Sequence, residues 1–287
     1  MVSAIPDIDL NDGRTIPQLG FGVFQVEPDE TQRVVEQALE VGYRHIDTAQ
    51  MYRNEEGVGR AIAASGIPRD DLYVTTKLNN GHHRPDDARL AFDESLRKLG
   101  LDHVDLFLIH WPLPTRYDGD FESTWRTLGE FSAQWGDGRA TSVGVSNFEP
   151  DHLQRIVDDS GNVPAVNQVE VHPYFGNEAV RAASASHGIA VEAWSPIAQG
   201  AVLGDPVIGA IAERLGRTPA QVTLRWHVQR GDIVFPKSTN PSRMRENFAL
   251  FDFELTGDDM ASITALDRGD DGRGGADPKT MDWIPSR

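Results

Sequence analysis

A closed barrel of eight strand–helix pairs, the (β/α)8 or TIM barrel, is the fold this sequence predicts, and three observations predict it. Short apolar strands alternate with helices of four-residue periodicity over most of the 287 residues, the size and rhythm of that barrel. The glycine fingerprint of an open dinucleotide-binding sheet is missing, because Gly20/Gly22 and Gly57/Gly59 are followed by Gln25 and Ile62 where a third glycine would stand. No low-complexity stretch divides the chain, so residues 1–287 read as one domain. Periodicity alone fits an open sheet equally well; the missing fingerprint decides for closure.

In chain order, Asp12-Gly13 lies between alternating short runs and has the composition of a hairpin turn, leading into strand Leu19–Phe24. Helix Thr31–Val41 follows, with Val34/Ala38 and Val35/Leu39 spaced by four and Gly42 as its stop. Strand Arg44–Thr48 precedes helix Glu55–Ala64, and strand Leu72–Lys77 precedes helix Asp86–Gly100, which has Pro85 near its first position and Ala88, Phe92, Leu96 and Leu99 on one face. Strand Val104–His110 leads through a proline-rich loop to a helix around Glu122–Trp135. The second half pairs Ser142–Ser146 with Asp151–Asp158, Ala165–Val171 with Glu178–His187, Ala190–Trp194 with Pro219–Gln229, and Ile233–Pro236 with a helix from about Ser242. One more helix, Asp258–Leu266, precedes an irregular glycine-rich tail.

A formal charge of -17 and a pI near 4.8 describe a surface that repels polyanions, which argues against a nucleic-acid role. Any anionic ligand must then be held by a local cluster of cations. The absence of cysteine removes disulfides, thiolate nucleophiles and cysteine-bound zinc. No apolar run approaches the ~20 residues of a membrane helix, and Met1–Leu10 lacks a basic start and an apolar stretch. A cytoplasmic protein with no membrane partner is expected.

In such a barrel, chemistry belongs at the carboxyl ends of the strands. The polar residues there are Asp47, Lys77, His110, Ser146 and Asn147, Gln168 and Glu170, Trp194 and Ser195, and Lys237 and Ser238. Tyr52 follows Asp47 by five residues, and Asn54, Glu55 and Glu56 open a helix with acceptors suited to its free N–H groups. That segment alone also fits a helix cap and a loop aromatic. Three ionisable residues ending consecutive strands beside a tyrosine favour a functional site. His82 and His83 are adjacent, point apart and have no third ligand at a useful spacing, so they read as solvated loop histidines and no metal is expected.

GFGVF at Gly20–Phe24, GYRHIDTA with YRNEEGVG over Gly42–Gly59, TTKL at Thr75–Leu78, VDLFLIHWP at Val104–Pro112 and GVSNF at Gly144–Phe148 recur in register with PAVNQVEVHP at Pro164–Pro173, EAWSP at Glu192–Pro196, FPKS at Phe235–Ser238 and REN at Arg245–Asn247. Over nearly its whole length the chain resembles the aldo-keto reductase superfamily, most closely the bacterial 2,5-diketo-D-gluconate reductase branch. The resemblance implies reduction of aldehydes, ketones or keto-sugars by NADPH in a monomeric barrel, with a catalytic tetrad at Asp47, Tyr52, Lys77 and His110. A phenol of ordinary pKa near ~10 is a poor acid at neutral pH. Lys77 would favour the phenolate and ease proton release from Tyr52, Asp47 would hold Lys77 charged, and His110 would hydrogen-bond the carbonyl oxygen.

For the cofactor, the resemblance places Ser146, Asn147 and Gln168 against the nicotinamide carboxamide. Trp194 takes the stacking position where many relatives have tyrosine, with Gly22, Ser195 and Pro196 also in contact. Lys237, Ser238, Thr239 and Arg243 would take the 2′-phosphate, and Glu246 and Asn247 the adenine; the bidentate fork of Arg243 favours NADPH over NADH. Arg243 and Arg245 also fit simple solvated charges at a helix start. Gly200–Gly204 would fold over the pyrophosphate, with Gln199 where some relatives carry serine. Phe24, Met51 and Trp111 are the apolar pocket walls by position, although Met51 suits rim packing as well. The tail Asp267–Arg287 would shape the substrate pocket. An NADP(H)-binding accessory or sensor protein with little turnover is the competing function class.

Overall fold

The computed structural model describes residues 5–285, so residues 1–4 of the amino-terminal segment and Ser286 and Arg287 of the tail lie outside it. Strands β1 (Asp7–Asp9) and β2 (Thr15–Pro17) form the antiparallel hairpin, with Ile8 opposite Ile16. Strands β3 (Phe21–Gly22), β4 (His45–Asp47), β5 (Tyr73–Leu78), β6 (Val104–Ile109), β7 (Ala140–Ser146), β8 (Val166–Glu170), β9 (Ala190–Trp194) and β10 (Ile233–Val234) are hydrogen-bonded in that order and in parallel. The cylinder closes where Gly20 donates its N–H to Val234 O at 2.7 Å and Val234 donates to Gln18 O at 3.0 Å. This is the eight-stranded parallel barrel expected from the sequence.

The helices are α1 (Pro28–Val41), α2 (Glu55–Ser65), α3 (Pro85–Leu99), α4 (Glu122–Gly129), α5 (Pro150–Ser160), α6 (Glu178–Ser186), α7 (Pro206–Leu215), α8 (Pro219–Gln229), α9 (Pro241–Phe248) and α10 (Gly257–Thr264). Six of them, α1, α3, α5, α7, α8 and α9, carry proline in the first turn, where its missing N–H costs nothing. Their apolar faces cover the outside of the strands, as at Phe92, whose ring lies 4.3 Å from Phe107 and 4.5 Å from Phe131. Each such buried side chain contributes roughly 1.5–3 kcal/mol. Inside the amino-terminal mouth, Leu10 and Ile16 of the hairpin segment meet Tyr73, Leu106, Leu108, Val166 and Ile233. The hairpin therefore plugs one end of the barrel, and the carboxyl end is left for a site.

Two elements depart from the sequence reading. Helix α7 was not expected, yet Ile208, Ile211 and Ala212 are buried along it and the Asp205 side chain caps it by accepting from Val207 N at 2.9 Å. Helix α4 stops at Gly129 instead of reaching Trp135, because the chain beyond it pairs with the start of β7: Ala133 donates to Ala140 O at 2.9 Å and Ala140 to Phe131 O at 2.8 Å. Backbone hydrogen bonds to a strand compete with those of another helical turn, and here the strand wins.

Candidate active site

Strands β4 and β5 run side by side, with Asp47 at the end of β4 opposite Thr75, and this register brings Asp47 and Lys77 together inside the mouth. The Lys77 side chain is 0% exposed; its Nζ donates to Asp47 Oδ1 at 2.7 Å, to Asp47 Oδ2 at 2.8 Å and to Thr48 O at 2.8 Å, and lies 3.5 Å from Tyr52 Oη. Tyr52 sits on the short helical turn Gln50–Tyr52, which the Gln50 amide ties to α3 by donating to Ala91 O and Ser95 Oγ, each at 2.8 Å, while accepting from Asn79 N at 2.7 Å. His110 follows β6 and meets the Tyr52 ring edge-on at 5.7 Å. The four residues singled out from distant parts of the sequence thus share one site. A groove of about 760 Å³ beside the hairpin, lined by Arg14, Arg44 and Asp70 among others, belongs to the opposite end and contains none of them.

Asn54 and Glu55 do not serve as acceptors for helix N–H groups. Asn54 accepts from Thr48 Oγ1 at 2.8 Å and donates to Val23 O at 2.9 Å, locking the turn to the loop after β3. Glu55 is buried and accepts from Thr76 Oγ1 at 2.7 Å. Both side chains are drawn inward by buried polar partners that a local reading does not contain.

Burial disfavours the charge on Lys77, but the adjoining Asp47 carboxylate and its hydrogen bonds more than offset this, holding the ammonium above its ordinary 10.5. Burial raises the Tyr52 phenol above 10, and Lys77 pulls it back only in part. Lys77 thus favours the phenolate, as the sequence reading expects, but desolvation outweighs its attraction. Burial, and then the Lys77 charge, keep His110 well below 6.5 and hence neutral at pH 7. Its Nδ1 is buried without a hydrogen-bond partner among the described residues.

Around this group the predicted cofactor residues are already linked. Asn147 donates to His110 O at 2.9 Å and to Ser146 Oγ at 3.1 Å, and accepts from Trp194 Nε1 at 2.9 Å. Ser146 donates to Gln168 O at 2.7 Å. Gln168 Nε2 donates to Asp47 Oδ2 at 2.9 Å and to Glu192 Oε2 at 2.8 Å, so only its carbonyl oxygen is left to face a ligand. Gly22 allows β3 to touch the segment after β10, since a Cβ there would lie 2.7 Å from Phe235 O. Ser195 (φ 49) and Gln199 (φ 51) bracket Pro196 in a loop of left-handed turns.

Lys237, Thr239 and Arg243 are exposed around the start of α9, with Ser238 buried between them. Lys237, Arg243 and Arg245 form no ion pair with any described residue, although the chain carries 44 acidic residues. Asn240 caps α9 by accepting from Ser242 N at 2.8 Å. Glu246 accepts from Thr218 Oγ1 at 2.7 Å, which joins α8 to α9, and Asn247 is buried beside it. Phe24 is 53% exposed with its ring 5.0 Å from that of Tyr52, while Met51 and Trp111 are half-buried at the mouth.

The docking of the tail had no signal beyond its glycines. Gly274 N and Gly275 N donate to the two oxygens of Glu170 at 2.7 and 2.9 Å, and a Cβ on Gly275 would fall 2.4 Å from the Trp194 indole. Further along, Asn80 donates to Trp283 O at 2.9 Å and Arg116 pairs with Asp282 at 3.2 Å. The tail is therefore a strap from Trp194 to the loop after Lys77. The reading of His83 as a solvated loop residue is corrected: it is buried, stacked on Tyr117 with centroids 5.1 Å apart, and burial lowers it to about 3. Among the described residues no cluster of three or more histidine or acidic side chains is placed to hold a metal.

The sequence profile of the Aldo/keto reductase family matches residues 18–268. An aldo-keto reductase of Mycolicibacterium smegmatis is 51% identical over 97% of this chain and 98% of its own length. A protein of Yersinia pestis named methylglyoxal reductase DkgA is 48% identical over 96% of this chain and 97% of its own. Among solved structures, a variant of Gox0644 in complex with NADPH superposes with a TM-score of 0.92 at 47% identity, covering 98% of this chain and all of the other.

Proposed function

The chain belongs to the aldo/keto reductase family, and on that premise we propose that it reduces small aldehydes, ketones or keto-sugars to alcohols with NADPH, Tyr52 acting as the proton donor. The observation that supports this most is the fully buried Lys77 ammonium, clamped by Asp47 3.5 Å or less from every group it serves, with the Tyr52 phenol at that distance and His110 against the phenol ring. Placing an ion pair in a barrel interior costs several kcal/mol of desolvation. Binding a cofactor without turnover gives it no use there.

When bound, the nicotinamide supplies a hydride to the carbonyl carbon. The chain supplies the rest. Neutral His110 donates a hydrogen bond to the carbonyl oxygen and fixes its position. Tyr52, protonated at neutral pH, gives its phenol proton to that oxygen as negative charge develops on it, a contribution of about 10²–10⁴ in rate. Lys77 stabilises the phenolate left behind, and Asp47 keeps the ammonium charged and aimed. Phe24, Met51 and Trp111 form the apolar side.

The donor set fits the dinucleotide. Lys237, Ser238, Thr239 and Arg243 are cations and hydroxyls without acidic partners in a strongly acidic protein, as a 2′-phosphate requires. Gly22, Ser195, Pro196 and Gln199 would line the phosphate run, Trp194, Ser146, Asn147 and the Gln168 oxygen the nicotinamide, and Glu246 and Asn247 the adenine. One barrel carries the whole set, so this reading needs no second subunit. No described helix is long and apolar enough to cross a membrane.

The test is a panel of small ketoaldehydes, aldehydes and keto-sugars followed by the absorbance of NADPH. Consumption with at least one of them is expected, first among ketoaldehydes, given the relatives named methylglyoxal reductase. A folded protein that oxidises NADPH with none of them overturns the proposal.

A further inference from the structure

Below the tetrad, β9 places Glu192 wholly inside the barrel. Its Oε2 accepts from Gln168 Nε2 at 2.8 Å, and the same amide nitrogen donates to Asp47 Oδ2 at 2.9 Å. Gln168 is thus the bridge between two buried carboxyl groups. The other oxygen of Glu192, Oε1, has no hydrogen-bond partner among the described residues and lies 3.8 Å from His45 Nε2. That imidazole is neutral, since burial lowers it to about 4, and its Nε2 is 3.2 Å from Thr75 Oγ1. The groups facing Glu192 are His45 and Asp47 from β4, Tyr73 and Lys77 from β5 and Gln168 from β8, while Ile233 opposes it from β10.

We propose that Glu192 is a positioning residue of the proton-transfer site: it fixes the Gln168 amide, and through it the Asp47 carboxylate that aims Lys77 at Tyr52. With both amide hydrogens of Gln168 directed to carboxyl oxygens, the Gln168 carbonyl is turned outward, so Glu192 also sets which end of that amide meets a ligand. Burial first, then the Asp47 charge, push the Glu192 carboxyl up to about 8, against the hydrogen bond from Gln168 and the attraction of Lys77. Below that pH it is neutral and Asp47 is the single anion beside Lys77. Above it, a second anion in the same closed space competes with the phenolate for the ammonium and raises the phenol further. The inference rests on the tetrad reading.

The experiment compares pH profiles of turnover for the parent and E192Q, which preserves shape and still accepts from Gln168 but cannot ionise. An inflection near pH 8 in the parent that is absent from E192Q is expected, whatever the absolute rates. In parallel, carbon NMR of the glutamate-labelled parent should show a side-chain carboxyl titrating near pH 8 that is missing from E192Q. Should E192Q fail to fold, the parent spectrum decides: no glutamate titrating above about pH 7 overturns the proposal. Superimposable profiles of parent and E192Q, with Tyr52→Phe inactive, overturn this inference alone. A Tyr52→Phe enzyme that turns over normally overturns the tetrad reading and this inference with it.

Discussion

Replacing Asp47 by asparagine isolates the charge that holds Lys77. Side chains of the pair are 0% and 2% exposed, and removing one partner of a buried pair costs about 3–5 kcal/mol. The geometry narrows this. Both Asp47 oxygens accept, Oδ1 from Lys77 and Oδ2 from Lys77 and Gln168, so either orientation of an asparagine amide turns its NH₂ toward another donor. A ceiling comes from the lysine itself. Releasing the proton at pH 7 from a group of ordinary pKa near 10.4 costs about 4.6 kcal/mol, after which no buried charge remains. A loss of roughly 3–4.6 kcal/mol is expected, a fall in Tm on the order of 5–8 °C for a domain of this size. Lys77→Met should cost a similar amount by stranding the carboxylate, whereas the double variant Asp47→Asn with Lys77→Met should recover about 2–4 kcal/mol relative to the sum of the singles. Thermal and urea unfolding at pH 7 measure these values, and NADPH oxidation should stay at least about 100-fold down in all three. Strictly additive costs, or a single-variant cost below about 1 kcal/mol, would show that the pair is not the buried, mutually dependent unit described.

Arg243→Ala should raise the Kd for NADPH by about 10–100-fold, the worth of one charge-assisted contact, and leave NADH unaffected; calorimetry showing equal losses for both places the 2′-phosphate elsewhere. His83 binds its proton only near pH 3 in the folded chain but at about 6.5 when unfolded. Its stabilisation is therefore complete above 6.5 and lost as pH falls toward 3, by up to about 4–5 kcal/mol. His83→Phe, which keeps the stack on Tyr117, should flatten the acid limb of the stability curve, and an unchanged limb refutes that assignment. Gly275→Val drives a side chain into the Trp194 indole, so a shifted tryptophan emission and weaker NADPH binding are expected; parent-like values for both contradict the docked tail.

Legibility followed the distance over which each constraint acts. Asp47, Lys77 and His110 could be read from the sequence because each ends an apolar strand, and barrel topology turns that local fact into convergence. Tyr52 lies on a turn whose geometry depends on Gln50 reaching α3. The Gln168 bridge joins Asp47, 121 residues away, to Glu192, 24 residues away, and no periodicity carries such a link. The tail buries backbone against Trp194, so its only trace is a cluster of glycines, and the burial of His83 depends on Thr124 and Tyr117 from a later loop and helix. Helix α7 is a different case: Ile208/Ala212 and Ile211/Leu215 repeat at four residues before Gly216. Its pattern was present in the sequence, but one helix per strand already completed the barrel without it.

In the proposed NADPH-dependent carbonyl reduction, Tyr52 delivers the proton with Lys77 and Asp47 behind it. The most direct test of that role measures turnover and NADPH affinity together in Tyr52→Phe. A loss of turnover of at least about 100-fold is expected, with a Kd within about twofold of the parent. Parent-like reduction by the folded variant would contradict it.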